Sequence, residues 1–368
     1  MKILMCAPYD TNGRFRGGIT ELACGICAAQ EELNRVGLAV RKFETCRVVR
    51  SATSNGRFDL GNLKNYIACR TALADAVREE DFDAVYCHSS MKLGLLKDLL
   101  MLRHMQSVRR VHTVLHIHFG EIDKILPHAQ PLRSFTLRLL AEVPDRIILL
   151  SERTKEEFVA AGIPKERLSV LYNFETLSYS EQEIRDKAVR VLQKDALHLL
   201  FIGSLCSRKG IPDLLKALSL CHTPLCIELC GSPTEEDVGE ACRIAAEASE
   251  GRMKLVGYVQ GNDKKDAYSR ADVLVLPSYE EGLPVVLLEA YAAGCAVIAT
   301  PVAAIPEVVL EKNGILVPPG DAAALAAAID ALGDDRRRLA DMMTENHSAA
   351  ARYTPARFLT ELIEILKP

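Results

Sequence analysis

The chain has 368 residues, 49% hydrophobic and 26% charged, with no low-complexity tract, a composition that excludes a disordered or fibrous chain. A single core stops growing near ~250 residues, so this length points to two domains. The net charge of −4 conceals an uneven split, 25 Lys+Arg against 21 Asp+Glu over residues 1–180 and 20 against 28 over the remainder, which turns the first half toward something anionic, such as a phosphate-bearing acceptor or a lipid surface; no nucleic-acid partner is expected.

The first apolar run, residues 3–7, is too short for the core of a signal peptide, and no stretch approaches the ~20 apolar residues of a membrane span. A cytoplasmic protein is expected, at most peripheral on the inner face of a membrane. The twelve cysteines then read as reduced thiols. Cys24 and Cys27 have a redox or zinc spacing but no second pair at a zinc-finger distance, so core packing is the expectation for them as well. After the first run, Gly17 and Gly18 lead into a helix expected over 18–35; paired glycines and free amides at a helix start suit a phosphate, and a plain loop is the alternative.

Further short apolar runs follow at 84–87, 111–117, 146–150, 198–202, 225–230, 273–276 and 296–299, each succeeded by a stretch with helical spacing. That alternation predicts α/β architecture with parallel sheets covered on both faces, arranged as two Rossmann-like, doubly wound domains facing across a cleft. The polar stretch 173–194 places the boundary near residue 180, giving an N-terminal domain at 1–180, a C-terminal domain at 181–350 and a terminal helix at 351–368 that could pack back on the first domain. Within the first half, the helix around 92–104 with Arg109 and Arg110, and the apolar run flanked by Arg133 and Arg138, read either as ordinary packing with snorkelling cations or as a surface for an anionic bilayer. His116 and His118 share one face of a strand end, the way some metal hydrolases begin a metal site, with His88 the obvious further ligand.

In the second half the segment from Ser204 to Gly210 puts Arg208 and Lys209 on a strand-end loop, where two cations can hold a diphosphate leaving group or form a solvated basic turn. Glu281 stands on a Gly/Pro loop after the run at 273–276. Glu289 falls in the apolar helix around 285–293, where a carboxylate needs a polar partner, either donor hydroxyls or a structural Arg or Lys.

Glu281 and Glu289, set in a Glu-Gly-Leu-Pro…Leu-Glu-Ala…Ala-Gly frame, resemble the signature of glycosyltransferase family 4, retaining transferases of the GT-B fold. Gly17-Gly18, His118, Arg208-Lys209-Gly210 and the segment from Asn313 to Asp321 extend the resemblance over nearly the whole chain. It implies that Gly17 and Gly18 lie near the donor phosphate, Arg208 and Lys209 neutralise the diphosphate, Glu281 binds donor-sugar hydroxyls, Glu289 binds ribose hydroxyls and His118 faces the donor sugar. Gly203, Gly282, Leu283 and Val285 join the donor-binding set. Glu307 is a peripheral candidate, because Ala303 and Ala304 stand where the family usually has glycines, and Ser204 stands where it often has Arg. The implied reaction is transfer from a nucleotide-diphosphate sugar, with a UDP-sugar the family-weighted choice, to a glycan or lipid-linked acceptor in bacterial surface-polysaccharide assembly, with no cofactor and no metal. The alternatives are a metal-dependent hydrolase built on His116 and His118, and a sugar-nucleotide-binding protein without turnover.

Overall fold

The computed structural model describes residues 1–9, 18–45 and 60–368. The chain divides into two compact units, Met1–Phe174 with Pro355–Pro368, and Glu175–Thr354.

The first unit contains β1 (Lys2–Ala7), β2 (Ala39–Glu44), β3 (Ala84–Ser89), β4 (His112–Ile117), β5 (Arg146–Leu149) and β6 (Leu168–Val170), a parallel sheet in the order β2-β1-β3-β4-β5-β6. All six residues of β3 and five of six in β1 and β4 are buried, as a sheet covered on both faces requires. The expected helix over 18–35 is two helices, Gly18–Ala28 and Gln30–Arg35, broken at Ala29. The terminal helix Pro355–Leu366 belongs to this unit: Phe358, Leu359, Leu362 and Leu366 are buried with Ile3, Met5, Val114 and Phe174.

The second unit contains β7 (Leu197–Ile202), β8 (Leu225–Cys230), β9 (Met253–Leu255), β10 (Val273–Leu276), β11 (Ala296–Ala299) and β12 (Gly314–Leu316), again parallel, in the order β12-β11-β10-β7-β8-β9. The polar stretch near 180 holds the helix Glu181–Val191, which starts in a capping box between Ser180 and Glu183. Its Lys187 is buried and donates from Nζ to the carbonyls of Tyr268 (3.0 Å) and Ala293 (2.8 Å).

In each sheet the strand order reverses once, between β1 and β3 in the first and between β7 and β10 in the second. Ligands of open parallel sheets bind beyond the carboxyl ends of the strands at such a reversal, so the loops after β3, β7 and β10 are the places to look for chemistry. No helix among the described residues is long and apolar enough to cross a membrane.

Candidate functional site

After β7 the chain passes Gly203, makes a short turn at Ser207–Lys209, and enters the helix Ile211–Leu220 through Gly210. Gly210 has φ 72°, and a Cβ there would stand 2.0 Å from the carbonyl oxygen of Pro277, so the loop after β7 lies directly against the loop after β10. The backbone N–H of Tyr279 donates to the carbonyl of Arg208 at 2.9 Å and fixes this contact. The result is a close ion pair: Lys209 Nζ is 2.6 Å from Glu281 Oε1, with side-chain exposures of 18% and 7%. Arg208 reaches the carbonyl of Glu280 at 3.1 Å and remains exposed. Ser207 is held from outside, its N–H and Oγ both donating to the Glu235 carboxylate at 3.0 and 2.6 Å.

The remaining residues of the expected donor set fall around the same strand ends. Gly203 donates its N–H to Cys230 at 3.0 Å, and its own carbonyl lies 1.8 Å from where a Cβ on Gly231 would sit, so Gly231 is required by packing although no motif in the sequence marks it. The Gly282 carbonyl accepts from Ala304 N–H at 3.2 Å, Leu283 is buried, and Val285 opens the helix Val285–Ala292. Ala303, at the first of the two positions where glycines were expected, is buried and has φ 50°, a left-handed conformation that glycine adopts without strain. Glu307 lies on the one-turn helix Ile305–Val308 that follows.

Glu289 is 3% exposed and its charge is met inside the protein. Oε1 is 2.5 Å from Lys264 Nζ, and Oε2 accepts from the Tyr268 hydroxyl at 2.9 Å. Of the two kinds of partner the sequence allowed, the structural lysine is present. Lys264 and Tyr268 sit on the polar helix Gly261–Arg270, and neither was singled out from the sequence.

In the first unit Gly18 opens its helix, and a Cβ added to it would meet nothing within 4 Å among the described residues, so no close backbone approach from them demands glycine there. Gly17 lies outside the described residues. Cys24 is exposed and Cys27 partly buried, both free thiols. In the helix Leu93–Val108, Leu95, Leu99 and Leu102 are buried in the core, as ordinary packing requires, while Leu93 is exposed. Arg133 and Arg138 are paired with Asp123 and Glu142.

The parallel pairing of β3 with β4 sets His88 beside His116, and His118 follows one residue past the end of β4. His88 Nδ1 is 2.8 Å from His118 Nε2, and the Tyr86 hydroxyl is 2.7 Å from His116 Nδ1. Burial holds all three imidazoles below their ordinary range, His118 down to about 3, with neighbouring rings adding to the effect on His88 and His116. Each is neutral near pH 7, so His118 can exchange hydrogen bonds there but carries no charge.

Comparison with known proteins adds to this geometry. Residues 27–175 match the model of Glycosyltransferase Family 4, and residues 196–335 match that of Glycosyl transferases group 1. The chain belongs to glycosyltransferase family 4. An uncharacterised glycosyltransferase of Methanocaldococcus jannaschii is 27% identical over 269 residues, covering 70% of this chain and 67% of its own. The O-antigen chain mannosyltransferase B of Escherichia coli is 29% identical over 238 residues, covering 63% and 57%. Anabaena HepE, solved in complex with UDP, superposes with a TM-score of 0.70 at 20% identity over 100% of this chain and 99% of that one, a likeness of fold. This family 4 glycosyltransferase has the GT-B architecture of two Rossmann-like domains. The hydrolase alternative built on His116 and His118 is therefore withdrawn, while the histidine cluster that suggested it is present and joined by His88.

Proposed function

We propose that this family 4 enzyme is a retaining transferase that moves a sugar from a uridine diphosphate sugar to a glycan or lipid-linked acceptor of a surface polysaccharide. The observation that carries the reading is the Lys209–Glu281 pair at the carboxyl ends of β7 and β10, flanking the reversal of strand order. Each side chain is the other's counter-ion. A donor exchanges that contact for two better ones, with its diphosphate taking Lys209 and Arg208 and a sugar hydroxyl taking Glu281. As the glycosidic bond breaks, charge grows on the diphosphate, and fixed cations stabilise it with no divalent ion at that position.

Glu289 is held by Lys264 and Tyr268, and a carboxylate with two such partners retains lone pairs for ribose hydroxyls. His118 supplies a neutral imidazole to the donor sugar, and the Gly18 helix start supplies amides to its phosphate. No carboxylate is assigned as nucleophile; the acceptor attacks from the face the leaving group departs, with the diphosphate as base. Acceptor recognition, and any contact with an anionic membrane surface, is assigned to the first unit with its excess of basic residues. The O-antigen chain for which the E. coli relative is named, and the UDP bound in the Anabaena structure, support these choices.

The test is slow donor hydrolysis without acceptor, followed by NMR of the sugar as it is released. An α-linked UDP-sugar is expected to give the α-anomer first, and β-anomer appearing first would end the retention claim. Lys209→Ala is expected to lower turnover at saturating donor by roughly two to three orders of magnitude, the scale for losing one donor to a developing anion.

A further inference from the structure

The transferase reading uses one of the three clustered histidines and leaves the other two without a task. His88 is 3% exposed and His116 is fully buried, and the Nε2 atom of each has no hydrogen-bond partner among the described residues. A buried ring nitrogen left this way carries an uncompensated desolvation cost, so a pair of them in one strand-end cluster calls for a ligand.

We infer that His88, His116 and His118 bind one divalent transition-metal ion of zinc's class, with a fourth coordination position open to water or an anion. One ring nitrogen from each residue lies within 4.8 Å of the other two. Tetrahedral zinc with Zn–N bonds of about 2.0–2.1 Å sets its nitrogens roughly 3.4 Å apart, so the rings need to draw in by about an ångström. Neutral imidazoles with no carboxylate in the cluster are the donor set of Zn²⁺, Cu²⁺ or Ni²⁺; Mg²⁺ and Ca²⁺ take oxygen ligands.

The surroundings are those of a ligating histidine. Tyr86 engages His116 Nδ1 at 2.7 Å, an outer contact of the kind that orients a ligating ring: with Nδ1–H donating to the Tyr86 hydroxyl, Nε2 keeps its lone pair for an ion. His88 and His116 are placed by the paired register of two fully packed strands, which holds their spacing more firmly than a loop would. His118 is kept at the cluster by the 2.8 Å contact of its Nε2 with His88 Nδ1; coordination through Nε2 would replace that contact and leave Nδ1 for a hydroxyl. The ion would tie the ends of β3 and β4 together and fix the ring of His118. It plays no part at the diphosphate, so this inference goes beyond the proposed function and survives or fails separately from it.

The experiment uses the full chain, purified without a polyhistidine tag, stripped with EDTA and reloaded with ZnCl2 or CoCl2. One tightly held zinc per chain by mass spectrometry of the metal is expected, together with the visible bands of tetrahedral Co²⁺. His88→Gln and His116→Gln, singly, are expected to weaken zinc binding at least tenfold. Should those variants fail to fold, zinc added to wild-type protein carrying ¹⁵N-labelled histidine is expected to shift three imidazole spin systems together. A wild type that stays metal-free after loading, zinc binding unchanged in both variants, or a titration that moves other histidines and not these three would each overturn the inference. Nucleotide binding is read separately, and neither result substitutes for the other.

Discussion

Glu175 shows how far a single buried carboxyl can be moved by its surroundings. It is 6% exposed, and burial, with a smaller contribution from the like charge of Glu289 and opposed by the Leu177 backbone amide, pushes it from 4.5 up to about 8. The native state therefore keeps a proton that the unfolded chain gives up, and between those two values stability falls as pH rises. Glu175→Gln removes the titration, so the variant is expected to gain on wild type as pH increases, by about 4 kcal/mol at pH 8 and by little near pH 4. Melting curves across that range test it, and a pH-independent difference would contradict it. Glu289 was legible in the sequence as a charge in an apolar helix, whereas its partners were not. Lys264 lies in a run of polar residues that looks like solvated surface, and only the fold turns it toward the acid. His88 could be named as a companion of His116, but their adjacency depends on which strands pair and in what register.

At the scale of the element, eight of the twelve strands among the described residues were visible as apolar runs, and the four that were not, β2, β6, β9 and β12, are the sheet edges. Inner strands are buried on both faces and read as continuous hydrophobic stretches; edge strands are short or half exposed, as in the sequence Ala39–Glu44 with its two basic residues, and lose that signal. The loop between β7 and its helix illustrates the same limit. Arg208-Lys209-Gly210 could be read as a cationic turn, but the contact with Pro277 that makes Gly210 obligatory joins residues far apart in the chain. Gly210→Ala is expected to displace the turn, lowering the melting temperature and weakening nucleotide binding, with strain of about 1–3 kcal/mol from the left-handed backbone alone. Gly18→Ala, where an added Cβ meets open space, is expected to leave the melting temperature nearly unchanged. Equal effects from the two substitutions would count against this account of the loop.

At the scale of the molecule, the chain leaves its first unit after Phe174 and returns to it at Pro355. The terminal helix closes the core of that unit, with the rings of Phe174 and Phe358 4.8 Å apart. Its helical spacing was evident in the sequence, but which unit it served could only be guessed, since an apolar stripe does not name its partner. Four fully buried side chains at ~1.5–3 kcal/mol each are enough to decide whether a domain stays folded. Deleting residues 355–368 is expected to unfold the first unit while the second keeps its own transition, measured by calorimetry or by proteolysis with mapped cleavage sites; loss confined to the second unit would contradict the division.

In the proposed reaction the loops after β7 and β10 hold a nucleoside diphosphate through Lys209. A thermal-shift comparison of UDP, GDP and ADP, with EDTA present, on wild type and Lys209→Ala tests it most directly. UDP at about 100 times its dissociation constant should add about 2.7 kcal/mol of stability to wild type. That stabilisation is expected without any metal, with most of it gone in Lys209→Ala; no shift with any of the three nucleotides, or an equal shift in the variant, would rule out the Lys209 contact.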